Sequence, residues 1–158
     1  MQADLALRLE VEALYARYVA LIDEGPLAAL PTLFTDDALL KITSRENVDR
    51  GWRLALMLAE SRAAIEDRVH AIENLSLTIP RRVRHIVTGL LLEQGNTTIT
   101  AGANFAVFET LEGQQTVCFA TGRYRDVLRR QADGSLLFQE KIAICDSALI
   151  RNSLVYPL

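Results

Sequence analysis

The sequence has few of the residues that bind transition metals. Its 158 residues include two cysteines, Cys118 and Cys145, and two histidines, His70 and His85. An iron–sulfur cluster or a mononuclear iron site needs several Cys, His or carboxylate ligands at close spacings. Neither histidine is next to a cysteine, and the two cysteines are far apart in strand-like segments. We therefore expect this chain to supply no metal site of its own.

The sequence also lacks a basic excess and a long apolar run. It has 17 Lys and Arg against 20 Asp and Glu, so no basic surface for nucleic acid is predicted. No apolar stretch approaches the roughly 20 residues that cross a bilayer, and the acidic, amphipathic start MQADLALRLE does not resemble a signal peptide. We expect a cytoplasmic protein with reduced cysteines and neither membrane nor nucleic-acid contact.

One domain, residues 1–158, is expected from the length of the chain. The sequence shows no internal repeat and no low-complexity tract.

The second half of the chain predicts a long antiparallel meander. From Arg84 to Ser147, β-branched and aromatic residues fill four long segments. The breaks between them each contain a glycine and lie at Gln94-Gly95-Asn96, Glu112-Gly113-Gln114 and Ala132-Asp133-Gly134. Short connections make consecutive strands antiparallel neighbours. Three glycines inside these segments, Gly89, Gly102 and Gly122, are the predicted bulges or bends.

The first half predicts mainly helices. Apolar residues at a helical period indicate a helix from an N-cap at Asp4 to the break at Gly25-Pro26. The remaining predictions, in chain order, are a short helix over residues 27–34 that contains Pro31, a turn at Thr35-Asp36-Asp37, a short strand over residues 39–43, a polar loop through Gly51, an ambiguous segment over residues 52–58, and a helix over residues 61–72.

This order predicts an α+β fold with the helices segregated to one face of the sheet. A long antiparallel sheet twists and curves, so the N-terminal helices would cover its concave face and form a cone. Such a cone holds a ligand pocket at its open end or is filled with side chains.

Several short motifs resemble those of one protein family over nearly the whole chain, from about Asp4 to Leu158. Their order and spacing are similar to those in the small (β) subunit of aromatic-ring-hydroxylating dioxygenases. The motifs are Glu66-Asp67-Arg68-Val69, Arg84-His85, Asn104-Phe105 and the run from Gly122 to Arg130. The ending from Glu140 to Ser147 resembles the branch that attacks aromatic carboxylates such as terephthalate or anthranilate.

The resemblance implies a nuclear-transport-factor-2-like (cystatin-like) cone. It also implies that a separate large (α) subunit carries a Rieske [2Fe–2S] cluster, a mononuclear iron and the substrate pocket. This chain would then be a non-catalytic companion that associates as a trimer within an α3β3 hexamer and takes part in aromatic compound catabolism.

A rival hypothesis is a stand-alone isomerase or dehydratase, because cones of this type also house such enzymes. These enzymes pair an acid and a base in a pocket that excludes water. The candidate cavity residues are Tyr15, Tyr18, Asp23, Trp52 and His85.

Two segments are candidates for subunit contact. In a strand, Arg123 and Arg125 share one face, while Tyr124 and Asp126 share the other, so one of these mixed faces is buried or paired with another chain. An intrachain salt bridge is the alternative for this group. The tail over residues 148–158 is too apolar to stay in water, and we expect Leu154 and Tyr156 to pack across a subunit boundary rather than on their own cone.

Overall fold

The computed structural model describes residues 2–75 and 79–158, and side chains from Leu5 onward within those ranges. It opens with helix α1, Gln2–Asp23, so Asp4 lies inside the helix and the predicted N-cap there is wrong. The helix ends where predicted, before Gly25, whose φ is 80°. Its apolar stripe is buried and consists of Leu7, Val11, Leu14, Tyr15, Tyr18 and Ile22.

The segments after α1 differ in part from the prediction. They are a 3₁₀ helix over Leu27–Leu33, strand β1 over Phe34–Ser44, helix α2 over Arg45–Asp49, strand β2 over Met57–Ala59 and helix α3 over Arg62–Asn74. The predicted turn at Thr35-Asp36-Asp37 is part of β1, and the predicted polar loop contains α2. The side chain of Ser61 accepts a hydrogen bond from the Ala64 amide at 3.1 Å and caps α3. Residues 76–78, between α3 and the meander, lie outside the described residues.

The predicted meander is present, with strands β3 over Arg81–Gln94, β4 over Thr98–Leu111, β5 over Val117–Arg130 and β6 over Leu136–Cys145. All three predicted glycine-containing turns separate these strands. Gly113 and Gly134 have positive φ values of 72° and 86°, which a glycine adopts without strain.

The sheet has six strands in the order β2-β1-β6-β5-β4-β3. It is mixed rather than wholly antiparallel, because β1 pairs in parallel with β6. The expectation of a purely antiparallel sheet is corrected on this point. The long connection through the intervening elements brings the last strand, β6, back beside β1 in the same direction, as a parallel pair requires.

Only one of the three predicted bend glycines is at a bulge. The β3–β4 register shifts between Thr88 and Leu91, around Gly89 with its φ of 67°. Gly102 lies in regular pairing opposite Arg125, and Gly122 pairs in register with Cys145. Gly122 is instead a point of close approach, since a Cβ there would lie 2.0 Å from the Ile144 carbonyl oxygen.

Helix α1 packs on β3 and β6, and α3 packs on β1 and the 3₁₀ helix. The buried side chains of these elements form one hydrophobic core between the helices and the inner sheet face. Tyr18, Phe34 and Phe138 form its centre, with ring centroids 5.5–6.3 Å apart. Among the described residues, no helix is both long and apolar enough to span a membrane.

Candidate functional site

A charged cluster lies inside the cone, between α1 and the strands β5 and β6. The Lys141 ammonium is 3.0 Å from Oδ2 of Asp126, and both side chains are fully buried. The Tyr15 hydroxyl donates a short hydrogen bond to the same oxygen. The Ile142 amide donates to Oδ1 of Asp126 at 3.0 Å. Both oxygens of the Asp126 carboxylate therefore accept hydrogen bonds.

The aromatic rings around this cluster complete the environment of Lys141. Its Nζ lies 2.9 Å from the ring centroid of Tyr124 and 4.9 Å from that of Tyr18. The negative face of an aromatic ring attracts a cation, so these rings stabilise the ammonium where water cannot reach it.

Burial disfavours the charged form of each group in the cluster. Burial raises the pKa of Asp126, and the nearby Lys141 ammonium opposes this rise. Burial lowers the pKa of Lys141 to about 8, with Asp126 acting in the opposite direction. Burial and the Asp126 carboxylate together raise the pKa of the Tyr15 phenol.

A bulge in β6 places Lys141 inside the cone. The β5–β6 register changes by one residue between Val127 and Leu128, and Gln139 is the residue passed over. Phe138 and Lys141 consequently both face inward, although simple alternation from Phe138 would place Glu140 inside. Sequence reasoning missed Lys141 for this reason, and a lysine within an apolar strand was the only available signal.

A second polar pair joins the end of α1 to β3. Nδ1 of His85 is 2.6 Å from Oδ1 of Asp23, and the His85 amide donates to Oδ2 of Asp23 at 2.9 Å. The side chains are 0% and 5% exposed. The structure therefore brings together two of the sequence-predicted cavity residues that are 62 positions apart.

A third pair, also missed from the sequence, lies on the neighbouring part of the inner face. Arg81 donates to Oε2 of Glu109 at 2.8 Å, and the two side chains are 6% and 2% exposed. Oε1 of Glu109 and Nε2 of His85 are buried without a hydrogen-bond partner among the described residues.

The remaining predicted cavity residues occupy different environments. Tyr18 is fully buried on α1, and its hydroxyl donates to the Leu158 carbonyl oxygen at 2.9 Å. Trp52 is 47% exposed. The Arg50 guanidinium lies over its ring, with Cζ of Arg50 4.8 Å from the ring centroid of Trp52. Trp52 is therefore not a cavity residue, and its candidate role is corrected, because its segment lies at the surface.

The possible metal ligands do not form a site in the described part of the chain. Cys118 is exposed on β5, whereas Cys145 is buried on β6. His70 on α3 contacts Asn74, and His85 contacts Asp23. Among the described residues, no group of three or more His, Cys, Asp or Glu could hold a metal ion. These donors do not fit a Rieske cluster or a mononuclear iron.

Residues 3–140 match the family model of the SnoaL-like domain. The chain is 30% identical over 151 residues to the beta 2 subunit of the terminal oxygenase component of terephthalate 1,2-dioxygenase from Comamonas sp., covering 95% of this chain and 97% of that one. It is 26% identical over 156 residues to the anthranilate 1,2-dioxygenase small subunit of Burkholderia cepacia, covering 98% and 96%.

A crystal structure from Novosphingobium aromaticivorans, of a beta subunit assigned to an aromatic-ring-hydroxylating dioxygenase, superposes with a TM-score of 0.88. It has 27% identity and covers 100% of both chains. The chain belongs to the SnoaL-like family and groups with the small subunits of aromatic-ring-hydroxylating dioxygenases. These relatives support the main hypothesis of the sequence analysis and not the stand-alone isomerase or dehydratase.

In this dioxygenase small subunit, the candidate contact residues of β5 divide between two faces as predicted. Tyr124 and Asp126 are 2% and 1% exposed and face the core of their own chain. They offer no surface to a second chain, so their proposed contact role is corrected in favour of the intrachain ion pair with Lys141. Arg123 and Arg125 are exposed on the outer sheet face.

The tail of the small subunit packs on its own cone. Val155 and Leu158 are 8% and 2% exposed, while Leu154 and Tyr156 are partly buried against the core. Arg68, from the motif Glu66-Asp67-Arg68, donates to the Leu154 carbonyl at 3.2 Å. The expectation that Leu154 and Tyr156 would pack away from their own cone is wrong, because the inner sheet face leaves space that these residues fill.

Proposed function

We propose that this chain, acting as a single domain, is the non-catalytic small subunit of a multicomponent dioxygenase for aromatic carboxylates. The observation that carries the proposal is the similarity to terephthalate and anthranilate dioxygenase small subunits over 95% or more of the chain. The role is to support assembly of the large subunit that carries the Rieske cluster and the mononuclear iron.

The interior of the cone supports a structural role. Lys141, Asp126 and Tyr15 are paired with one another and lie beneath packed aromatic rings. Charged groups that are buried and paired hold elements together, since removing one partner leaves an uncompensated charge. This cluster joins α1 to β5 and β6, and so fixes the helix layer on the sheet.

The outer sheet face supports a role in assembly. Ile86, Leu91 and Phe108 are 51%, 75% and 37% exposed on neighbouring strands. Exposed apolar side chains that share a face indicate an interaction surface. We assign this face to contact with a neighbouring subunit in an α3β3 hexamer.

Arginines flank this surface at one side. A concavity of about 470 Å³ is lined by Arg45, Arg123, Arg125, Leu91 and Asn104, among others. The guanidinium groups of Arg123 and Arg125 have no hydrogen-bond or ion-pair partner among the described residues. Guanidinium groups without intrachain partners are suited to carboxylates of another chain.

Co-expression with the large subunit of a ring-hydroxylating dioxygenase from the same source tests the proposal. We expect the two chains to purify together in equal numbers, with the iron in the large subunit, and native mass spectrometry to give three copies of each. A large subunit that assembles and keeps its iron equally well when expressed without this chain would contradict the proposed role.

A charge reversal tests the assigned surface separately. Arg123→Glu should weaken co-purification, whereas Arg17→Glu, an equal charge change at an exposed position of α1, should not. Equal effects of the two substitutions would remove the outer sheet face from the proposal while leaving the small-subunit role intact.

A further inference from the structure

The segment that follows α2 exposes a row of large apolar side chains. Trp52, Leu54, Leu56 and Leu58 are 47%, 61%, 39% and 51% exposed. They are four of the twelve large apolar side chains that are exposed among the described residues, and they lie within seven positions of one another. A cluster of this density indicates a surface that another molecule covers. Residues 52–60 are called the arm below.

The arm ends in an unpaired negative charge. It contains β2, which is a terminal strand of the sheet and pairs only with β1. Leu58 is exposed between Met57 and Ala59, which are buried, and Glu60 follows on the same side of the chain as Leu58. Glu60 is exposed, and its carboxylate has no hydrogen-bond or ion-pair partner among the described residues. The arm therefore presents apolar side chains next to a free carboxylate.

The concavity of about 470 Å³ on the outer sheet face has the opposite charge. Three arginines, Arg45, Arg123 and Arg125, line it together with one acidic residue, Asp49. Arg45 is already paired with Asp146, at 3.3 Å. The guanidinium groups of Arg123 and Arg125 therefore remain for a carboxylate from outside the chain.

The same concavity has an apolar side. Leu91, which is 75% exposed, lines it, and Gly102 lies between Leu91 and Arg125 in the strand register. Because Gly102 has no side chain, a gap of two strand spacings, roughly 10 Å, separates the Leu91 backbone from that of Arg125. Leu58 and Glu60 lie roughly 7 Å apart along their strand, and long Glu and Arg side chains span the difference. The concavity and the arm thus match in both polarity and spacing.

The arm and the concavity do not pair within one chain. The strands β1 and β6 lie between β2 and β5 in the sheet, so about three strand spacings, roughly 14 Å, separate the arm from Arg125. Two different patches that complement each other on one chain produce head-to-tail contacts between copies. Such contacts close into a ring when the rotation from one copy to the next allows it.

We infer that the arm of one copy docks in the concavity of a second copy. Leu58 then covers Gly102 beside Leu91. The Glu60 carboxylate accepts hydrogen bonds from the guanidinium of Arg125. This inference rests on the proposed role of the outer sheet face in assembly and names the neighbouring chain there as another copy of the small subunit. Three such contacts close the ring of small subunits in the proposed α3β3 hexamer.

A charge exchange tests the contact in the isolated full-length chain. Sedimentation equilibrium should show the unsubstituted chain as a trimer. Glu60→Arg and Arg125→Glu each place like charges at the contact, so each should weaken self-association at least about tenfold. The double variant restores opposite charges across the contact and should regain most of the loss.

Matched substitutions elsewhere control for charge and polarity. Glu112→Arg and Arg17→Glu make the same changes in net charge at exposed positions outside the contact, and they should leave self-association unchanged. Leu58→Asn should weaken self-association, because it removes apolar contact with the second copy. Leu149→Asn, at an 86% exposed position of the tail, should not.

A monomeric unsubstituted chain would overturn the inference, as would a double variant that associates no better than the single variants. A Glu60→Arg chain that self-associates normally but no longer co-purifies with the large subunit would also overturn it, since the arm would then bind that subunit. Co-purification separates the two proposals. A monomeric chain that still co-purifies contradicts the contact between copies alone, whereas a trimeric chain that never co-purifies contradicts the small-subunit role alone.

Discussion

Asp126 and Lys141 form a 3.0 Å ion pair in which neither side chain has any exposed surface. The pair is positioned by the β6 bulge, which turns Lys141 inward opposite Asp126. It ties the last two strands to α1 through Tyr15. Because the charges are removed from water, the pair tolerates the loss of neither partner.

We expect Lys141→Met to lower the free energy of unfolding by about 3–5 kcal/mol, since it leaves the Asp126 carboxylate buried without a counter-ion. Urea unfolding measures the loss. Glu10→Ala, which breaks the exposed Arg130–Glu10 pair, is the control and should cost less than about 1 kcal/mol. Adding Asp126→Leu to Lys141→Met should recover part of the loss, and a further additive loss would contradict this account.

The same pair predicts how stability depends on pH. Unfolding raises the pKa of Lys141 from about 8 to its ordinary value of 10.5, so above pH 8 the unfolded chain binds more protons at this residue. The contribution of Lys141 to the free energy of unfolding therefore rises with pH. The contribution of Cys145 to the free energy of unfolding instead falls as the pH rises. Burial raises the pKa of its thiol from 9.0 to about 11, so the unfolded chain loses this proton at a lower pH than the folded chain does.

In the window from pH 8 to pH 9, a comparison of the unsubstituted chain with Lys141→Met isolates the contribution of the lysine, because both chains carry Cys145. Urea unfolding across this window should show the unsubstituted chain gaining stability relative to Lys141→Met as the pH rises. A difference between the two chains that shrinks with pH would mean that folding raises, rather than lowers, the pKa of Lys141.

Gly122 and Gly102 should differ in their tolerance of alanine. A Cβ at Gly122 would lie 2.0 Å from the Ile144 carbonyl oxygen and 2.8 Å from Cζ of Phe105, whereas at Gly102 the nearest atom is 3.7 Å away. We expect Gly122→Ala to cost at least about 2 kcal/mol of unfolding free energy, because the β5–β6 backbone must move. Gly102→Ala should change it by less than about 1 kcal/mol. Similar thermal denaturation midpoints for the two variants would contradict the close approach.

Removing the tail should destabilise the chain. Val155 and Leu158 are nearly fully buried, and each such side chain contributes roughly 1.5–3 kcal/mol. A chain ending at Ser147 should therefore unfold at a markedly lower urea concentration, while Leu149→Ala in the full chain should have little effect. An unchanged urea midpoint after truncation would show that the tail adds nothing to the core.

Local sequence signals were sufficient for the meander and for α1. The glycine-containing turns and the β-branched segments between them predicted four strands, and all four are present. The apolar period of α1 identified the buried stripe that includes Tyr15 and Tyr18. These signals work because turn geometry and side-chain period depend on residues close together in the chain.

The contacts that define the interior depend on tertiary structure. A one-residue bulge reversed the alternation of β6 and moved Lys141 inside, and no local pattern marks its position. Asp23 and His85 meet because α1 ends where β3 crosses it, which depends on how the helix packs on the sheet. The apolar composition of the tail required burial, but only the space left on the inner face of the folded cone decided that the tail would fill its own core.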